Sequence, residues 1–205
     1  MAKRKRQTAA ELMAELEANP EWVRARDERE RKRCEIEEEL TRAELPILKD
    51  LKKAGAKELE SVWDLVNTKK PYPNLVPVLL AHLDRQYPDK VREGIARALA
   101  VPEARVGWSQ LIRSFLAEPQ KDETGNDNQV KWALHLALSG AADASVLDEL
   151  VKLASDRRHG VHRLFFVDAL VRIKDPLAAA ALEELEDDPD LADSFKRIFK
   201  KRNRK

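Results

Sequence analysis

One cysteine, six glycines and a 5% share of aromatic residues leave this 205-residue chain short of several kinds of chemistry. Cys34 has no second cysteine to pair with, so an internal disulfide is excluded. It also lacks the companions of a thiolate zinc site, and a reducing compartment suits it. The scarce glycines form no phosphate-cradling loop, and neither GxSxG nor HExxH occurs. No run of alternating Val, Ile, Thr and aromatic residues reads as a strand. No apolar run approaches the ~20 residues that span a bilayer. Lys3-Arg4-Lys5-Arg6 is not followed by the apolar core of a signal peptide. Charge of one sign is not in excess either, since the formal net charge is +1. These absences lead us to expect a soluble cytoplasmic protein, monomeric and not membrane-bound, with no cofactor, no bound metal and no catalytic constellation.

Helix formers are what the chain does have. Hydrophobic residues make up 43%, enough for a core, and charged residues 37%, a share typical of solvated helices. The charge is unevenly spread. Residues 55–190 hold 17 basic and 23 acidic residues, a net of −6, whereas residues 191–205 hold 7 basic residues and one acidic. A body that tracks phosphates has the opposite bias. Nucleic acid is therefore not the expected partner, except through the basic tails.

An internal repeat organises the chain. Val91-Arg92, Val130-Lys131 and His162-Arg163 each stand the same distance ahead of Ala98-Leu99, Ala137-Leu138 and Ala169-Leu170. Repetition of this kind predicts stacked helical pairs, each burying a face against the next. We read pairs at 74–86 with 89–100, 104–117 with 129–140, 144–155 with 159–173, and 176–187 with 190–201. Ile95, Leu99, Leu134, Leu138, Phe166 and Leu170 should be buried. The connection 118–128 is polar and longer than usual, with nothing to bury, and is expected to be mobile.

Ahead of the repeats, Thr8 and Glu11 fit a capping box for a short helix. Asn19-Pro20 ends it, and a long charged helix follows, on which Glu28/Lys32, Arg31/Glu35, Arg33/Glu37 and Asp27/Arg31 stand at helical ion-pair spacing. Pro46 should start a new turn or kink it. Gly55 suits a C-terminal cap, and Glu58–Val66 reads as another helix. The expected division is 1–20 as a basic N-terminus with a short helix, 21–73 as charged and capping helices, 74–201 as repeats, and 202–205 as a basic tail.

Pro77, Leu79-Leu80 and Leu83, followed by Asp89-Lys90-Val91-Arg92 and Ala98-Leu99, resemble a HEAT repeat. Ala169-Leu170-Val171-Arg172-Ile173-Lys174-Asp175-Pro176 is similar to the join between bacterial HEAT repeats, with Lys174 departing from the usual glycine. The resemblance covers about 74–201. It implies an all-α fold, a short right-handed α-solenoid of about four hairpins carrying a long charged N-terminal helical extension. It further implies that Asp89, Arg92, Asn128, Lys131 and Arg163 bond between neighbouring repeats, and that Ala98, Ala137 and Ala169 permit close helix approach.

Stacks of this kind mostly bind macromolecules. The leading expectation is a non-enzymatic protein that holds a protein partner on its concave second-helix face, as an adaptor or a toxin-neutralising immunity protein. The acidic body suits a basic partner. The alternative is a nucleic-acid-binding protein related to HEAT-like alkylated-base DNA glycosylases, for which the repeats are too acidic and too few. Pigment-attachment lyases built on the same repeat find no supporting motif. The expected partner surface comprises Glu93, Arg97, Trp132, His135 and Arg163, which sit off the apolar stripe and differ between repeats.

Other residues compete for attention. His159 and His162, with Asp156 and Asp168 nearby, could form a metal site, but a loop and a repeat junction explain them as well. The carboxylates of Glu183, Glu184, Glu186, Asp187, Asp188 and Asp190 read as a solvated face. Trp63 and Trp108 read as core. Phe165-Phe166 offers one ring to the core and one outward. Trp132 either fills a gap between repeats or anchors a partner.

Overall fold

The computed structural model describes residues 8–66, 68–192 and 195. Residues 1–7, the basic tail 202–205 and most of the helix expected over 190–201 lie outside the described residues. Among those described, every extended element is helical, and the single β-type pairing is an isolated bridge between Lys121 and Asp127. The chain divides into two compact units, residues 1–42 and 43–205.

The first unit holds helix α1 (Ala9–Glu17) and the greater part of α2 (Pro20–Lys53). The capping box forms as expected: the Glu11 amide donates to Thr8 Oγ1, and the Thr8 amide donates to Glu11 Oε2 at 2.9 Å. Asn19 Oδ1 accepts the Glu21 amide at 3.0 Å and opens α2. Lys32–Glu28, Arg31–Glu35 and Arg33–Glu37 pair along the exposed helix, whereas Asp27 pairs with Arg26. Each such pair adds only about 0.2–0.5 kcal/mol. Pro46 does not break the helix. It withholds the amide that would bond the Arg42 carbonyl, and the division between the units falls just after Arg42.

The second unit begins where α2 turns apolar. Ile47, Leu48 and Leu51 are buried, and Glu44 is buried with them. Glu44 Oε1 accepts the Val62 amide at 2.6 Å and the Ser61 hydroxyl at 3.0 Å. Asp64 takes the amides of Glu60 and Ser61. These two carboxylates hold residues 58–62 outside a helix, so α3 is confined to Trp63–Val66, which corrects the longer helix expected there. Gly55 closes α2 with φ +112°, as a C-terminal glycine cap does.

The pairs then follow: α4 (Val76–Leu83) with α5 (Asp89–Ala98), α6 (Trp108–Ala117) with α7 (Gln129–Ala141), and α8 (Leu147–Ser155) with α9 (Leu164–Arg172), ahead of α10 (Pro176–Glu186). Short 3-10 segments at Pro102–Gly107, Ala144–Val146 and Arg157–Arg163 lead into α6, α8 and α9. The second helices pack in series, α5 on α7 and α7 on α9. Ile95, Leu99, Leu134, Leu138, Phe166 and Leu170 are all buried, as the repeat register requires. Ala98, Ala137 and Ala169 are buried as well, and Gly140 lets α7 touch the α5 side: a Cβ there would lie 2.5 Å from the Ala100 carbonyl carbon.

Charged ties link the pairs. Arg92 on α5 donates to Glu118, just beyond α6. Glu118 in turn accepts Asn128 Nδ2 through its side chain and Lys131 Nζ through its carbonyl. Arg163 reaches past α10 to Asp188. Arg92 and Arg163 therefore join neighbouring pairs, whereas Asn128 and Lys131 bond within their own and Asp89 pairs with Arg92 on its own helix. The connection 118–128 is organised rather than loose. Asp122 Oδ1 accepts the Thr124 hydroxyl and the amides of Thr124 and Asn126, while Lys121 pairs with Asp127 at 2.5 Å. Asx turns of this type close a polar loop without an apolar core.

Candidate functional site

The second-helix face carries a ladder of rings and cations. Lys90 Nζ lies 4.1 Å from the Trp63 ring centre, and the Arg97 guanidinium lies 5.6 Å from Trp63 and 4.3 Å from Trp132. The edge of Trp132 meets Phe165, with centroids 5.4 Å apart and planes at 85°. One rung thus comes from each of α3, α5, α7 and α9. Trp63, Arg97, Trp132 and Phe165 are all half-buried. Trp63 sits there rather than in the core because Gly94 leaves no side chain where a Cβ would lie 2.9 Å from the indole nitrogen.

Beside the ladder runs a groove. One cavity of about 440 Å³ is lined by Leu65, Tyr72, Arg97, Ala100 and Leu136. A second, of about 540 Å³, is lined by Ala100, Leu136, Gly140, Phe165, Asp168 and Arg172. Sharing Ala100 and Leu136, they form a continuous trough across α5, α7 and α9. Lys69 and Lys70 stand at one end and the Arg172–Asp168 pair at the other.

The five residues expected to form a partner surface do not share one fate. Arg97 and Trp132 lie in the ladder. Glu93, His135 and Arg163 are buried, which corrects the expectation that all five face a partner. Glu93 is held between Arg97 Nε at 2.8 Å and Lys90 Nζ at 3.1 Å, so its charge is matched on its own helix. Arg163 is sealed by Asp188, and that carboxylate is consequently not part of a solvated acidic face. The neighbouring guanidinium draws the Asp188 carboxyl down to about 2.

His135 lies in an aromatic box. Its ring stands 4.5 Å from Phe115, 5.2 Å from Phe166, 6.2 Å from His159 and 5.4 Å from His162. Burial drives its imidazole down to about 3, and burial lowers His159 too. Lys131 enters the same region, its ammonium 3.8 Å from the Phe115 centroid, and desolvation lowers it to about 8. His82 is buried elsewhere, between Tyr87 Oη at 2.6 Å and Asp50 at 3.2 Å. Among the described residues no cluster of three or more His, Cys, Asp or Glu has the arrangement to hold a metal ion, and no helix is long and apolar enough to cross a membrane.

Residue order hid one member of the ladder and one residue of the groove. Trp63 reads as core because Val62 and Val66 flank it, and Tyr72 lies in a proline-punctuated loop without a periodic signal. Phe165, by contrast, was open to an outward reading beside Phe166, and it lies half-buried as that reading allowed. Trp108 is buried, as read, and its indole N–H donates to Glu149 at 3.1 Å. Comparison with known protein families, with curated proteins and with solved structures finds no match to this chain.

Proposed function

We propose that this chain is a short, right-handed HEAT-like helical-repeat protein that binds a protein partner along its second-helix face and has no active site of its own. In this reading it acts as a cytoplasmic adaptor or as an immunity protein that neutralises a toxin. The observation that carries the reading is the pair of adjoining cavities across α5, α7 and α9, lined by half-buried Arg97 and Phe165, both of which pack against half-buried Trp132. Tryptophan and arginine dominate interface hot spots, because they bury large apolar area while keeping polar reach. Arg97, flanked by two indoles, is held flat and costs little further ordering on binding. The surface centres on Arg97, Trp132 and Phe165, with buried Glu93 holding Arg97 and buried His135 lying beside Phe165.

Affinity capture with the full chain as bait tests this. Wild type and Leu116→Ser, a change on α6 away from the trough, should retain the same partner, whereas Trp132→Ala and Phe165→Ala should lose it. Capture that survives both ring truncations and fails in Leu116→Ser would move the interface to the first helices.

A further inference from the structure

His135 and His159 are buried, and among the described residues three of their four ring nitrogens have no hydrogen-bond partner: His135 Nε2, His159 Nδ1 and His159 Nε2. The fourth, His135 Nδ1, lies 2.9 Å from the Lys131 carbonyl oxygen. A carbonyl only accepts, so Nδ1 carries the ring proton and Nε2 is left with a bare lone pair. Both imidazoles are neutral in this setting. A proton on His135 Nε2 would point a cationic donor into a wall of Phe115 and Phe166. Burying an unpaired charge is far costlier than burying a neutral ring.

The groups facing these rings offer little relief. From α7 comes the Lys131 ammonium, which repels a second cation. From α6 come the Phe115 ring and, at its end, Glu118, which is already engaged by Arg92 and Asn128. The segment before α9 contributes Arg158, Arg163 and half-buried His162. Arg163 is committed to Asp188. Asp156 alone faces His159 with opposite charge, 3.7 Å from Nε2, and Arg158 already holds it. Gly160 follows His159 with φ +57° and ψ −146°, a conformation open essentially only to glycine, and a Cβ there would meet nothing within 4 Å. The chain beside His159 therefore turns at a glycine with open space next to its α-carbon.

We propose that His135 and His159 form a proton-operated latch: protonation draws His159 toward Asp156, unpacks the aromatic box and loosens the joint between α7, residues 157–163 and α9. The Trp132–Phe165 edge spans the same two helices, so the latch acts on that edge of the trough. The latch depends on the buried rings alone and operates whatever partner the trough takes.

The sign is fixed by linkage. Both rings have their affinity for protons lowered in the folded state, so the open state binds more protons below the ordinary histidine value of about 6.5. Above that value the latch is fully closed. Below it, the opening equilibrium rises about tenfold per pH unit for each ring that gains a proton on opening.

Amide hydrogen exchange on the full chain, corrected for intrinsic rates and followed from about pH 7.5 to about pH 5, tests the proposal together with histidine ring nitrogen shifts. Protection in Gln129–Ala141 and Leu164–Arg172 should fall below about pH 6.5 in wild type and lose that dependence in His135→Phe/His159→Phe. An unchanged pH dependence in the double variant would overturn the latch. Should that variant fail to fold, the wild-type titration decides: rings that stay neutral until protection collapses support the latch, and rings that protonate within an intact joint refute it.

Discussion

Arg163 and Asp188 meet as a buried, two-pronged pair, with Nη1–Oδ2 at 2.9 Å and Nη2–Oδ1 at 3.0 Å. Arg163 also donates through Nε to the Gly160 carbonyl, so the guanidinium fastens the entry to α9 onto the chain beyond α10. Removing Arg163 leaves the buried Asp188 carboxylate with only the exposed Arg157, 3.2 Å away, as a counter-charge. Arg163→Ala should therefore cost about 3–5 kcal/mol in urea denaturation. Replacing both members, as Arg163→Met with Asp188→Leu, should recover most of that loss, because two well-packed apolar side chains carry no desolvation penalty. The pair also has a pH signature. Asp188 titrates at about 2 in the folded state, below the ordinary value, so its contribution is complete above about pH 4 and lost as pH falls toward 2. Arg163→Ala should flatten stability in that window, and an unaltered acid limb would show that the pair contributes nothing there.

Truncation separates the two units. Deleting residues 1–42 removes no buried side chain of the second unit's core, and the melting temperature should hardly move. Deleting through Lys53 removes Ile47, Leu48 and Leu51, together with Asp50, which bonds His82. Each lost core residue is worth about 2–5 kcal/mol, so the longer deletion should aggregate. A monomeric 54–205 fragment with the wild-type melting temperature would contradict this account of the cover.

Much of the fold was legible because it is set locally. Thr8 with Glu11 and Asn19 with Pro20 mark helix boundaries whose bonds span two or three residues. The apolar period placed Ile95, Leu134 and Phe166 correctly for the same reason. The candidate site was read less well. Glu93 and Arg163 look like surface residues because periodicity assigns charge to the outside. Their neutralisers are a flanking cation on each side in one case and a carboxylate 25 residues away in the other. Residues 58–62 failed as a helix because Glu44, 18 residues from Val62, captures an amide the helix needed. No local pattern encodes the Arg163–Asp188 or Glu44–Val62 pairing, whereas the partners of Glu93 stand at ordinary helical ion-pair spacing and it is their packing over the carboxylate that the spacing leaves open.

Gly140 offers a test of how closely α7 approaches the end of α5. An added Cβ would lie 2.5–2.9 Å from three backbone atoms of Ala100, which cannot rotate away as a side-chain tip would. Gly140→Ala gains roughly 1 kcal/mol of helix propensity, but overpacking costs about 1–3 kcal/mol. The net effect should be destabilising, and a more stable variant would show that the two helices can separate without penalty.

The last prediction contrasts two tryptophans. Trp108 is 6% exposed and its indole N–H is bonded to Glu149, so Trp108→Ala opens a cavity and strands an acceptor. The expected cost is about 3–5 kcal/mol. Trp132 is half-buried against the Arg97 guanidinium and, edge to face, the Phe165 ring. A cation–ring contact at such a site contributes about 0.5–1 kcal/mol and an edge-on ring pair about 0.5–1.5. Trp132→Ala should therefore cost about 1–2.5 kcal/mol, or about 2–10 °C in melting temperature at about 2–4 °C per kcal/mol for a chain of this size. Trp108→Ala should lower the melting temperature by distinctly more. Equal losses for the two variants would make Trp132 a packing residue and remove its claim as an anchor. A small loss for Trp132→Ala, together with loss of the captured partner, would place its energy at the interface instead.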